Sequence, residues 1–118
     1  MSENDFRKND EKIRKLAQEY QKSKIIELKG VNLLKDSRIG ESVSTYMNSR
    51  NRYDYYYNLQ MRVDYILERL EWEYRDFLKR EFFNCLNKSQ WWMNYYSRST
   101  YYRKKSKAMN MFLRLMYA

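Results

Sequence analysis

Apolar residues recur along this chain at helical rather than alternating intervals. Ile13, Leu16, Ala17 and Tyr20 stand at i, i+3, i+4 and i+7 with charged residues between them, which predicts a helix over 3–29. Gly30 is the expected stop. The pattern weakens over 30–52, where Gly40, several Ser and Asn, and Asn48 and Asn51 between arginines predict a connector with a short helix near Leu33 or over 43–47. Tyr56, Leu59, Val63, Ile66, Leu67 and Leu70 then form one stripe, predicting a helix over 54–70. Tyr74, Phe77, Leu78, Phe82, Cys85 and Leu86 carry the pattern on over 72–86, with a break expected near Glu71. Asn87-Lys88-Ser89 reads as a turn with Ser89 as a cap. A short helix over 90–95 follows, carrying Trp91, Trp92 and Met93. Tyr96-Ser97 is the next turn, and the last helix runs from about 98 to 115. On it Tyr101, Lys105, Ala108, Phe112 and Leu115 share a face, flanked by Met109 and Met116.

Composition supports helices over sheets. The chain has no Pro and only two Gly, too few for the tight turns of a sheet-rich fold. Its 118 residues suit one domain with a modest core, and 43% hydrophobic residues, including 13 Tyr, are too many for a disordered tail. The expected fold is an all-α, single-domain bundle of four or five helices spanning 1–118. Residues 1–52 form its N-terminal helix and connector, and 54–118 its helical core.

Charge redirects attention to the end of the chain. Seven of the cations and a single acid fall in residues 81–118, and no side-chain carboxylate follows Glu81, within a net charge of +9. That asymmetry predicts a local polyanion-facing surface, with double-stranded DNA as the leading partner. The last helix has the parts for it. Ser97 is its expected cap and can hold a phosphate at the helix end. Ser99, Arg103, Ser106, Lys107 and Asn110 lie opposite the apolar face, with Arg98 and Tyr102 at the edge near the helix start. Residues 72–116 then read as a C-terminal helix-turn-helix. Arg98, Ser99, Tyr102 and Arg103 are assigned to base edges or the nearest phosphates, and Lys104, Lys107 and Arg114 to phosphates.

Residues 66–116 resemble the helix-turn-helix of sigma factor region 4 and of the small phage-type ArpU/RinA transcriptional regulators. The resemblance is carried by Leu70-Glu71-Trp72-Glu73-Tyr74-Arg75-Asp76-Phe77-Leu78 as the opening helix and by Tyr96-Ser97-Arg98-Ser99-Thr100-Tyr101-Tyr102-Arg103 as the start of the reading helix. Lys107-Ala108-Met109 with Phe112-Leu113 matches the close of that helix. It implies a small sequence-specific transcriptional regulator whose Arg98, Ser99, Tyr102 and Arg103 contact DNA, with RNA polymerase or a second copy of the chain as further partners.

Other chemistries find little support. With no His and one Cys the chain lacks the usual zinc sites and His-based triads, and no nucleophile stands beside a base, so neither an enzyme nor a cofactor nor a small-molecule substrate is expected. Cys85 reads as a core residue, and its solitude and the polar N-terminus predict a cytoplasmic setting without a membrane anchor. The carboxylates Glu68, Glu71, Glu73 and Asp76 read as members of helix ion pairs. The cluster Tyr53, Tyr55, Tyr56 and Tyr57, beside Arg50 and Arg52, reads as bundle surface with Tyr56 toward the core, or as a stacking platform for single-stranded bases. Two rival functions remain open: an RNA- or ribosome-binding module, and a helical protein–protein adaptor with no nucleic-acid role.

Overall fold

The computed structural model describes the backbone of residues 3–36, 43–84 and 89–117, and within them the side chains of 3–25, 54–84 and 89–117. Cys85, Leu86, Asn87 and Lys88, the connector at 37–42 with Gly40, and the side chains of Arg50, Arg52 and Tyr53 lie outside that description. Among the described residues the fold is all-α: α1 is Glu3–Asp36, α2 Val43–Arg69, α3 Trp72–Leu78 and α4 Arg98–Met116. A π-helical turn, Lys79–Phe83, extends α3, and a 3-10 turn, Trp91–Asn94, precedes α4.

The first two helices are longer than the periodicity predicts. α1 runs through Gly30 to Asp36, because one interior glycine costs only about 1 kcal/mol and apolar residues resume at Val31, Leu33 and Leu34. α2 begins at Val43, absorbing residues 43–52 of the expected connector; between 43 and 69 there is no Gly or Pro to stop it. The break near Glu71 is present. Glu71 is extended at φ −57°, ψ 146°, and its carbonyl accepts from the Tyr74 and Arg75 amides at 3.0 Å each, opening α3.

The core lies where α1, α2, α3 and α4 meet. Ile13, Val63, Leu78, Ala108, Met109 and Phe112 have no accessible surface. Burying a side chain the size of Ile13, Val63, Leu78, Met109 or Phe112 contributes about 1.5–3 kcal/mol. On α4 the inner face is Tyr101, Lys105, Ala108, Met109, Phe112 and Met116. Leu115, expected on that face, is 39% exposed. The helical period of 3.6 residues carries the stripe from Phe112 to Met116 and leaves Leu115 turned aside.

Polar ties set the helices' register. The Tyr20 hydroxyl on α1 donates to Asp64 on α2 at 2.6 Å, and Ser23 meets the buried Gln60 at 3.3 Å. Gln21 donates to the Phe83 carbonyl at 2.6 Å, satisfying an acceptor that the end of the π turn leaves open. Arg62 of α2 does the same for the Met116 carbonyl at the end of α4.

Candidate nucleic-acid interface

α4 buries one side in the core and leaves Ser99, Arg103, Lys107 and Arg114 exposed on the other. The Ser97 hydroxyl accepts from the Thr100 amide at 3.3 Å, the expected cap, and Ser97 itself is extended at φ −69°, ψ 162°. The element ahead of it differs from expectation. In place of a helix over 90–95 there is a single 3-10 turn in which Met93 donates to Gln90, and Tyr95 and Tyr96 donate to Trp92. The two adjacent tryptophans are pinned to different partners, which stops the turn from growing. Trp91 donates through Nε1 to Glu81 at 3.2 Å, and Trp92 stacks on Tyr101 with ring centroids 4.4 Å apart at 17°. Both rings are half-buried, so they brace α4 from a turn rather than from a helix, while Met93 is exposed.

Glu81 is the hub beneath this brace, and the sequence pattern shows none of its partners. Its Oε2 accepts from the Tyr101 hydroxyl at 2.6 Å as well as from Trp91, and its Oε1 lies 3.5 Å from the Arg14 guanidinium and 3.8 Å from the Lys105 ammonium. Lys105 also meets Asp10 at 2.7 Å, and Asp10 pairs with Arg14 at 2.9 Å. The side chains of Glu81 and Lys105 are 5% and 7% exposed. Buried Glu81 and Lys105 thus balance each other, with Asp10 and the half-exposed Arg14 at their edge, and the network joins α1, the π turn, the 3-10 turn and α4. The Lys105 ammonium further sits 5.4–5.7 Å from the ring centroids of Phe6, Phe82 and Tyr101.

These contacts move the titrations of their members. Burial pushes the Asp10 carboxyl up, but hydrogen bonds from Lys105 and Arg14 outweigh it and hold the group below the usual carboxylate range. Arg14 is likewise disfavoured by burial and lifted on balance by Asp10 and Glu81. Burial first, then the hydrogen bond to Glu81, pushes the Tyr101 phenol well above its ordinary value.

The residues assigned to DNA fall into three groups. Ser99, Arg103, Lys107 and Arg114 lie exposed along the outer side of α4, the side opposite Tyr101 and Phe112. Neither Arg103 nor Arg114 forms an ion pair with a described residue. Lys107 rests 5.4 Å from the Tyr74 ring centroid, and a hydrogen bond with Tyr74 raises its pKa. Asn110, expected on the same side, is half-buried and accepts from Asn9 of α1 at 3.3 Å. Arg98 and Tyr102 belong to a second group at the edge, with the guanidinium 5.8 Å from the Tyr102 ring centroid. They line an open cleft of about 470 Å³ with Gln90, Trp92, Met93 and Tyr96. Lys104 stands apart: its side chain is 23% exposed, ion-paired with Glu73 and 5.3 Å from the Tyr96 centroid, so its charge is spent on α3.

Elsewhere, Asp76 pairs with Arg80 at i,i+4 as expected, whereas Glu73 reaches across to Lys104. Tyr55 and Tyr57 are exposed, and Tyr56 is half-buried beside Glu19 of α1 rather than in the core. No described helix is long and apolar enough to cross a membrane. Comparison with protein-family models, curated proteins and solved structures finds no match to this chain.

Proposed function

We propose that the protein is a small DNA-binding transcriptional regulator that lays the outer side of α4 in a duplex groove, in the manner of a sigma-like helix-turn-helix. The supporting observation is the stripe Ser99, Arg103, Lys107 and Arg114: an exposed serine and three exposed cations on one side of a helix whose opposite side is locked by core packing and the Glu81 hub. A helix of 19 residues is about 28 Å long, enough for its N-terminal half to meet base edges while Lys107 and Arg114 reach flanking phosphates. Arg103 suits bidentate pairing with guanine, and Ser99 either base type. RNA polymerase or a second copy of the chain is the protein partner this reading assigns, and a mass measurement in solution reports the latter.

The test is fluorescence anisotropy of labelled duplexes over a salt series, after selection from random sequence. With Arg98, Arg103, Lys107 and Arg114 supplying about four phosphate or base-edge charges, log K should fall against log salt with a slope of about −3 to −4. A selected site should emerge. Equal affinity for random duplexes, or a preference for RNA of the same sequence, refutes the regulator reading.

A further inference from the structure

The cleft ahead of α4 has a composition that the groove-reading stripe does not need. Its walls are three aromatic rings, each fixed from behind. Trp92 is stacked on the buried Tyr101. Tyr96 packs on Phe77 and Trp91, with centroids 6.4 and 6.2 Å away. Tyr102 rests on Tyr101 at 5.1 Å and on Phe6 of α1 at 5.9 Å. Rings held this way neither collapse onto each other nor need ordering when a ligand arrives. The polar lining is Gln90, whose amide offers both donors and an acceptor, and Arg98, whose guanidinium suits a phosphate. No carboxylate is among the cleft's described lining residues, and Glu81 behind them is turned inward to Tyr101 and Trp91.

We propose that this cleft takes an unpaired nucleobase together with its adjoining phosphate. A planar anionic ligand matches what is there: π faces for stacking, an amide for one base edge and a single cation at the mouth. The same Arg98 disfavours a quaternary ammonium, the other usual guest of an aromatic cage. Tyr102 and Arg103 are neighbours in sequence, so cleft and stripe adjoin on one helix. A base within a duplex cannot enter the cleft without leaving its stack, so the guest is a bulged, frayed or single-stranded nucleotide. The proposal rests on the reading of α4 as a DNA-binding helix, but it is tested separately.

The full chain is titrated with a paired duplex, the same duplex carrying one bulged adenosine, a single strand of the same sequence, free deoxyadenosine monophosphate, and an acidic tyrosine-containing peptide. Stacking of one base predicts that the bulged duplex binds about 5- to 150-fold more tightly than the paired one. Trp92→Leu should abolish the difference between bulged and paired duplexes, read as a ratio within that variant so that any loosening of α4 on Tyr101 enters both affinities alike. Gln90→Ala, an exposed change that leaves the fold intact, should reduce the preference several-fold. Affinity for the free mononucleotide equal to that for the single strand assigns the cleft to a free nucleotide; much weaker affinity assigns it to a strand. Equal binding of bulged and paired duplexes, an unaltered preference in both variants, or tighter binding of the peptide overturns the cleft assignment. Capture of single strand without binding of paired duplex leaves the cleft standing and refutes the groove reading instead.

Discussion

Replacing Glu81 by Gln tests whether the brace beneath α4 depends on a buried charge. The substitution keeps side-chain length and one oxygen that can still accept from Tyr101 or Trp91, so the principal loss is the negative charge. The Lys105 ammonium, 3.8 Å away with a side chain only 7% exposed, then keeps only Asp10 as an acidic partner. At an effective dielectric of about 20 the lost attraction is about 4 kcal/mol gross. The removed cost of burying a carboxylate and the retained Asp10 contact offset part of it. The expected net loss is about 2–3 kcal/mol, near the lower end for breaking a buried pair. A domain of this size is stable by about 5–15 kcal/mol. The urea midpoint should therefore drop clearly at unchanged m, with a fall in Tm of about 10 °C. Lys105→Met, which leaves Glu81 with only the more exposed Arg14, should cost a similar amount. The double variant Glu81→Gln/Lys105→Met should cost at least about 1 kcal/mol less than the sum of the singles. A single-variant loss under about 1 kcal/mol, or strictly additive losses, would refute the hub.

Other outcomes follow from the same contacts. Asp10 titrates below its unfolded value, so its contribution is present above about pH 4 and is lost as pH falls through the depressed folded pKa. Tyr101 titrates above its unfolded value, so its contribution holds below about pH 10 and is lost as pH rises beyond it. Urea midpoints between pH 3 and 11 should decline at both ends, and a flat alkaline limb would remove Tyr101 from the account. Ser97→Ala should lower stability by about 1 kcal/mol through loss of the cap, and Ser97→Asp should be nearly neutral, as read by thermal melts. In DNA titrations Arg103→Ala should relax site preference and Lys107→Ala should weaken all duplexes alike, reducing the salt slope by about 1. Lys104→Ala should leave the slope unchanged, because Glu73 already neutralises that cation.

What the sequence made legible is the chemistry that acts over one turn of chain. The Ser97 cap, the start of α4, the break at Glu71 and the inner face through Tyr101, Ala108 and Phe112 depend on neighbours three or four residues away, and all are found where the pattern puts them. The misses share a different cause. Gly30 has the local signature of a helix stop, yet a cost near 1 kcal/mol is small against a helix of 34 residues. The 90–95 helix is cut to four residues because Glu81 and Tyr101, distant in sequence, claim the two adjacent tryptophans. The π turn that brings Glu81 beside them carries no local signature, since nothing in Lys79–Phe83 favours an i→i+5 bond over the usual one. Spacing placed Lys105 on the apolar face but could not supply Asp10 from α1. The cleft likewise needed the ring positions of Trp92, Tyr96 and Tyr102, which no periodicity encodes.

These long-range contacts also change how the charge of α4 bears on function. By composition the last helix presents Arg98, Arg103, Lys104, Lys105, Lys107 and Arg114 as one basic block. In the fold Lys105 is buried between Asp10 and Glu81, and Lys104 is bound to Glu73. Two of the six cations therefore contribute little field at the surface, and the rest separate into the outer stripe and the mouth of the cleft. A non-specific polycation gains from every charge it exposes, whereas here the central pair anchors the helix, three cations are spaced along its outer side and Arg98 stands at the cleft. Counterion release scales with the cations that reach phosphates. A measured salt slope near −5 or steeper would mean that Lys104 and Lys105 leave their acids on binding. That would require the Glu81 hub to open, and Glu81→Gln, which weakens the hub, should then strengthen DNA binding rather than leave it unchanged.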